Sequence, residues 1–173
     1  AIGTGLEADS GDEGARRAVR VDGAPAATQA DLGRWVRMVW LTPQMDGLFR
    51  EAASARRRFL DRMAYNVQPG HARSLAVYER AMRERNRLLK DGRLDPAWLD
   101  ALEAQMAEAG IAAAAARRET VALLSAALDR TTVPEALFPA AALALEGGIE
   151  GWLDEGPALR VEDRFRAVLA AGR

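Results

Sequence analysis

Cysteine is absent from the 173 residues, which excludes disulfides, zinc–thiolate centres and cysteine nucleophiles. That absence suits a reducing compartment, and a cytoplasmic location is expected. Histidine occurs once, at His71, directly after the Pro69-Gly70 turn signal. A lone histidine there reads as a solvated capping residue, and one imidazole makes no metal site. Lysine also occurs once, at Lys90, and Leu88-Leu89 rather than glycine precede it. The GxxxxGK[ST] loop that cradles nucleotide phosphates is therefore missing. So are an LSGGQ-like signature and an apolar run ending in paired acids that would hold magnesium. No apolar stretch approaches the roughly 18 residues of a membrane span. No basic-then-apolar leader opens the chain. It starts at Ala1 inside an alternating pattern, which reads as a piece of a longer protein.

What is present is a globular balance of 49% apolar and 28% charged residues. Much of the apolar share is alanine, which favours helix but buries little area, so close-packed helices over a thin core are expected. Net charge is −1, but its distribution is uneven. Residues 50–93 carry 12 basic and 5 acidic side chains, whereas residues 95–173 carry 7 and 13. A basic middle beside acidic flanks is either a polyanion-binding face or one side of a bundle held by ion pairs. The adjacent acids Asp154-Glu155 and Glu162-Asp163 read as solvated surface rather than as acid–base catalysts.

Along the chain, Ile2, Thr4 and Leu6 alternate, and residues 16–21 alternate again with Val19 and Val21 on one face. Asp22-Gly23 is a two-residue hairpin turn, and a short strand through Ala24 and Ala26 returns. Residues 8–15 are expected to be a mobile loop. Thr28 and Asp31 signal a short helix ending near Gly33. Residues 35–41 read as a buried strand, stopped by Thr42-Pro43, which starts a turn or short helix. From Leu48 the period becomes helical up to Pro69-Gly70. A second helix runs over residues 72–89, with Leu75, Tyr78, Met82 and Leu89 as its seam. Asp95-Pro96 opens a long helix to about Leu128, striped by Trp98, Leu102, Met106, Ala109, Ala113 and Ala116. Gly110 inside it marks a kink or a close crossing. Residues 140–145 and 149–153 read as strands about the Gly147-Gly148 turn. Residues 161–171 read as a helix with Val161, Phe165, Val168 and Leu169 inward.

Arginine supplies 23 of the 24 basic side chains. Arg80, Arg83 and Arg87 fall on one helical face, and Arg73 and Lys90 extend the line. Such a stripe suits the phosphates of DNA without reading bases, because the guanidinium fork matches phosphate oxygens. The competing reading is a solvated face, since Glu79 and Glu84 interleave.

Three runs, in this order, carry a resemblance: Trp40-Leu41-Thr42-Pro43, then Arg56-Arg57-Arg58-Phe59-Leu60-Asp61, then Tyr78 followed by Glu84-Arg85-Asn86-Arg87-Leu88-Leu89. Together with the hairpin at residues 19–23 and the helix from Asp95 through Arg118, they resemble the RecF family of SMC-related, ABC-type ATPases. Pro43-Gln44-Met45-Asp46 departs from that family's Pro-Glu-Asp.

The resemblance covers residues 16–130 well and the tail loosely. It implies an α+β fold: a small antiparallel sheet at the edge of an ATPase head (residues 1–46), an antiparallel helical arm called lobe II (47–130) and a return segment (131–173). It implies that the P-loop precedes Ala1, that the signature and Walker B motifs follow Arg173, and that this piece is non-catalytic. ATP and magnesium then belong to the full-length family, a weak ATPase. The implied role is in DNA repair, replication, recombination and the SOS response. There, an ATP-dependent homodimer acts at gapped DNA with RecR and RecO to promote RecA loading. The alternative is an SMC-like helical module that docks RecR without touching DNA. Within the family motif, Arg56, Arg57, Asp61, Arg85 and Asn86 are either structural or contact residues: on the structural reading Asp61 pairs with an arginine at helical spacing and locks the lobe to the head, and on the other Arg56, Arg57 and Asp61 meet DNA or a partner directly.

Overall fold

The computed structural model describes residues 1–7, 16–25, 35–92, 95–130 and 141–173. They fall into two units, Ala1–Leu41 and Thr42–Arg173.

In the first unit, β1 (Ile2–Glu7), β2 (Arg16–Val21) and β3 (Ala24–Pro25) form an antiparallel sheet in that order. Ile2 lies opposite Val21 and Thr4 opposite Val19, so the alternating positions read from the sequence face one another. The turn is where Asp22-Gly23 places it. Both residues have positive φ, 50° and 83°, the combination a two-residue hairpin with the sheet's twist demands.

Residues 35–41 are not the expected buried strand. They have no regular secondary structure, and their large side chains are exposed, Trp35 by 67% and Leu41 by 76%. A short run that is apolar on both faces carries no period that separates strand from coil, and it needs cover on both sides to be an inner strand. The expected loop at 8–15 and helix over 28–33 lie outside the described residues.

The second unit begins with a 3-10 turn, Pro43–Gly47, started by the proline after Thr42. The helices are α1 (Ala53–Val67), α2 (His71–Lys90), α3 (Pro96–Arg130), α4 (Gly148–Glu155) and α5 (Ala158–Ala171). The α+β class expected is the one observed. Gly92, at φ 67°, closes α2 just past its end. The Asp95 carboxylate accepts from the Ala97 and Trp98 amides at 3.0 and 3.3 Å and caps α3.

At 35 residues, α3 is about 52 Å long and is the spine of the unit. It is antiparallel to α2, since Arg85 meets Glu103 and Tyr78 meets Gly110, and Gln68, just before α2, meets Glu119 further along α3. Ala81, Leu88, Leu99, Leu102 and Met106 form the core between the two helices. Leu99 is the inward residue at the start of α3, not Trp98, which is 45% exposed. α5 lies along α3 with Val161 and Phe165 inward, while Val168 faces out.

The strands expected at 140–145 and 149–153 do not occur among the described residues: 141–147 are irregular, and 149–153 belong to α4. Gly147, extended at φ −169°, precedes the first turn, where Glu150 lies near the free amides. Helix-terminal chemistry therefore prevails there over a short apolar pattern.

Gly110 is a close crossing rather than a kink. A Cβ built there would stand 3.2 Å from the Phe165 ring and 3.3 Å from the Tyr78 ring. Gly110→Ala gains about 1 kcal/mol of helix propensity but forces two packed rings apart, which costs about 1–3 kcal/mol. The variant is expected to be less stable in urea denaturation. A gain of the full helix-propensity increment would show that the crossing has slack.

Candidate nucleic-acid interface

Five cations of α2 share one exposed face. Arg73, Arg80, Arg83, Arg87 and Lys90 are separated by steps of seven, three, four and three residues, so all lie within about 100° of arc. From Arg73 to Lys90 the line runs about 25 Å. The opposite face of α2 is held against α3 by Ala81 and Leu88, which leaves the stripe outward.

Two of its members have acidic neighbours. Arg83 is 3.5 Å from Glu79, and Arg87 is 2.5 Å from Glu84. Both are i,i+4 or i,i+3 pairs on an exposed helix, each worth about 0.3–0.5 kcal/mol, weak enough to exchange for a phosphate. Among the described residues, Arg73, Arg80 and Lys90 have no ion pair.

The other motif residues separate into two kinds. Asn86 is exposed beside the stripe. Arg57 is exposed on α1, and exposed Arg56 donates to the Glu51 carbonyl at 2.6 Å. Arg85 is buried instead: its Nε donates to Glu103 at 2.9 Å and its Nη2 to the Leu169 carbonyl at 2.6 Å, at the last turn of α5. Arg173 also reaches Glu103 at 2.5 Å. Burial raises the Glu103 pKa, but the hydrogen bonds from Arg173 and Arg85 outweigh it and hold the carboxyl below its ordinary value.

Asp61 does pair with an arginine, but not at helical spacing and not with the sheet: the partner is Arg117 of α3, in the same unit. Two parallel bonds, 2.7 Å to Oδ1 and 3.0 Å to Oδ2, make the pair bidentate. Arg117 also reaches Glu150 of α4 at 3.2 Å, so one guanidinium ties three helices.

His71 is the main correction. It is 2% exposed rather than solvated, and its Nε2–H donates to Asp61 at 2.8 Å. As the first residue of α2 it turns inward over α1, against Tyr65, while its Nδ1 has no partner among the described residues.

Burial raises the Asp61 pKa, but the bonds from His71 and Arg117 prevail and leave it below its ordinary value of 3.8. A carboxyl depressed on folding contributes stability that is present above that ordinary value and lost as pH falls through the lower folded-state one. The melting-temperature gap between the protein and Asp61→Asn is thus expected to be complete above the ordinary carboxylate value of 3.8 and to shrink as pH falls below it. A gap that does not change over that range would deny Asp61 its low pKa.

Arg117, Glu150 and the inward His71 were not singled out by periodicity. The signal that finds Arg117 is its place on the stripe Met106, Gly110, Ala113, Thr120, all buried. A charge on an apolar stripe needs a buried partner.

The chain carries no Walker A loop, and no cluster of three or more His, Asp or Glu side chains that could hold a metal ion occurs among the described residues. No described helix is long and apolar enough to cross a membrane.

Comparison with known proteins finds a consistent set of relatives. The chain is 51% identical over 174 aligned residues to the "DNA replication and repair protein RecF" of Mesorhizobium japonicum, covering 99% of this chain and 45% of that protein. The proteins of the same name from Rhizobium etli and Agrobacterium fabrum are 47% and 46% identical, again over 45% of their length. The chain thus spans less than half the length of these curated relatives. No family model matches the chain, and no solved structure does.

Proposed function

This chain is a relative of the RecF proteins along 99% of its own length, and we propose from that premise that it serves DNA replication and repair by engaging DNA rather than by catalysis. The observation that carries the reading is the exposed five-cation line on α2, with the acidic neighbours too weakly held to keep it from phosphate. Contacts of that kind follow the backbone and carry no sequence preference.

The finer reading extends to the whole protein and to the cytoplasm. There, an ATP-dependent dimer acts at gapped DNA with RecR and RecO and promotes RecA loading, with ATP and magnesium bound by residues outside this chain. On this account Asp61 and Arg85 hold the helical lobe rigid while Arg73, Arg80, Arg83, Arg87 and Lys90 meet phosphate. Support comes from the burial of the first two and the exposure of the other five.

A second reading makes the helices a docking module for RecR that leaves DNA alone. The Arg83–Glu79 and Arg87–Glu84 pairs favour it, since they neutralise part of the line. The combined variant R80E/R83E/R87E in the full-length protein separates the two. Loss of binding to a gapped duplex supports DNA engagement; unchanged DNA binding with lost RecR binding supports the second reading.

A further inference from the structure

Away from the α2 stripe, α1, α3 and the segment before α4 enclose an open cleft of about 440 Å³. Phe59, Leu60, Met63, Val121, Leu124 and Leu145 supply its apolar surface. At its mouth stands Phe49, 77% exposed, a large aromatic left in water beside an apolar hollow. Isolated exposed apolar residues are ordinary, but one set against a cleft adds to a contiguous patch, the usual mark of a binding surface.

Charge gives the cleft a direction. Arg56 and Arg57 line its α1 side and are exposed. Arg56 donates to a neutral backbone carbonyl, that of Glu51, at 2.6 Å, and has no ion pair among the described residues. Arg57 has no ion pair among the described residues. Opposite them, the Glu150 carboxylate is taken by Arg117 at 3.2 Å, and Glu146 is exposed. Aromatic and arginine side chains together, without lysine, are the composition of an interface centre.

We propose that this cleft docks a short acidic–apolar segment of a partner protein, with one or two large apolar side chains in the hollow against Phe49 and the acidic residues lying over Arg56 and Arg57. The site shares no residue with the α2 stripe and stands independently of the DNA reading.

The test uses the full-length protein and a fluorescein-labelled dodecapeptide in which a Phe-Leu pair precedes four glutamates. Two control peptides replace Phe-Leu by Ser-Ser or the glutamates by lysines. Phe49→Ser and Arg57→Glu alter exposed side chains and are expected to leave the helical circular dichroism unchanged. Anisotropy is expected to show saturable binding of the acidic–apolar peptide, weakened at least tenfold by either substitution and by either control peptide, and unaffected in R80E/R83E/R87E. Absence of binding, or equal binding of the serine or lysine peptide, overturns the proposal. So does displacement of the peptide by single-stranded oligothymidylate, which would give the cleft to nucleic acid. Sedimentation showing a dimer that Phe49→Ser dissolves would give it to a second copy of this chain and equally overturn it.

Discussion

Arg117→Ala is expected to lower the free energy of unfolding by about 3–5 kcal/mol, the loss typical when one member of a buried ion pair is removed. The magnitude follows from what is left behind. Asp61 would keep only His71, and Glu150 would lose its cation, so two poorly solvated carboxylates would lie side by side in the space vacated by the guanidinium. Partial relief would come from protonation, which shifts the loss towards neutral and higher pH. The matching control is Arg166→Ala, whose partner Glu162 lies 3.1 Å away on the exposed face of α5. That surface pair should contribute no more than about 0.5 kcal/mol. Urea denaturation followed by helical circular dichroism measures both. Equal losses for the two variants would mean that burial confers no special weight on Arg117.

Reversal of Arg80, Arg83 and Arg87 together should cost DNA affinity about two or more orders of magnitude at low salt, since three phosphate contacts become three repulsions. Salt dependence is the sharper measurement. Each phosphate neutralised contributes about 0.9 to the slope of log K against log salt, so the variant's slope should be shallower by about 2–3. Glu79 and Glu84 already occupy Arg83 and Arg87 part of the time, so the lower figure applies if exchange is incomplete. The loss should be the same for duplexes of unrelated sequence, because no base-reading side chain is involved. A slope identical to the unaltered protein would remove the α2 stripe from the DNA surface.

Most of the helical fold was legible, because the signals were chemical and local. Asp95-Pro96 starts α3, Asp22-Gly23 turns the hairpin, and Gly110 is small where two rings press. Signals were poor where a few apolar residues had to choose a conformation without a period, as at 35–41 and 149–153. There the outcome depends on neighbouring structure and on helix ends.

The exposed arginine line was visible from spacing alone, since a helix places every third or fourth residue on one face. The buried ionic network was visible only in part. Asp61 announced a need for an arginine, yet its partner lies 56 positions along the chain, and no local rule spans that distance. His71 misled for the same reason: a turn in sequence says where a residue starts, not which helix it will meet.

The order of contacts along α3 also bears on how the chain folds. Leu88 and Leu99 meet across a short connection, so the α2–α3 hairpin closes a small loop and costs little entropy to form. By contrast, the Asp61–Arg117 bond and the reach of Arg85 to the Leu169 carbonyl join residues 56 and 84 apart. These long-range clasps are expected to form after the hairpin, so that Arg117→Ala should speed unfolding more than it slows refolding in stopped-flow measurements. Their weight therefore falls on how slowly the native state comes apart, more than on how quickly it is reached.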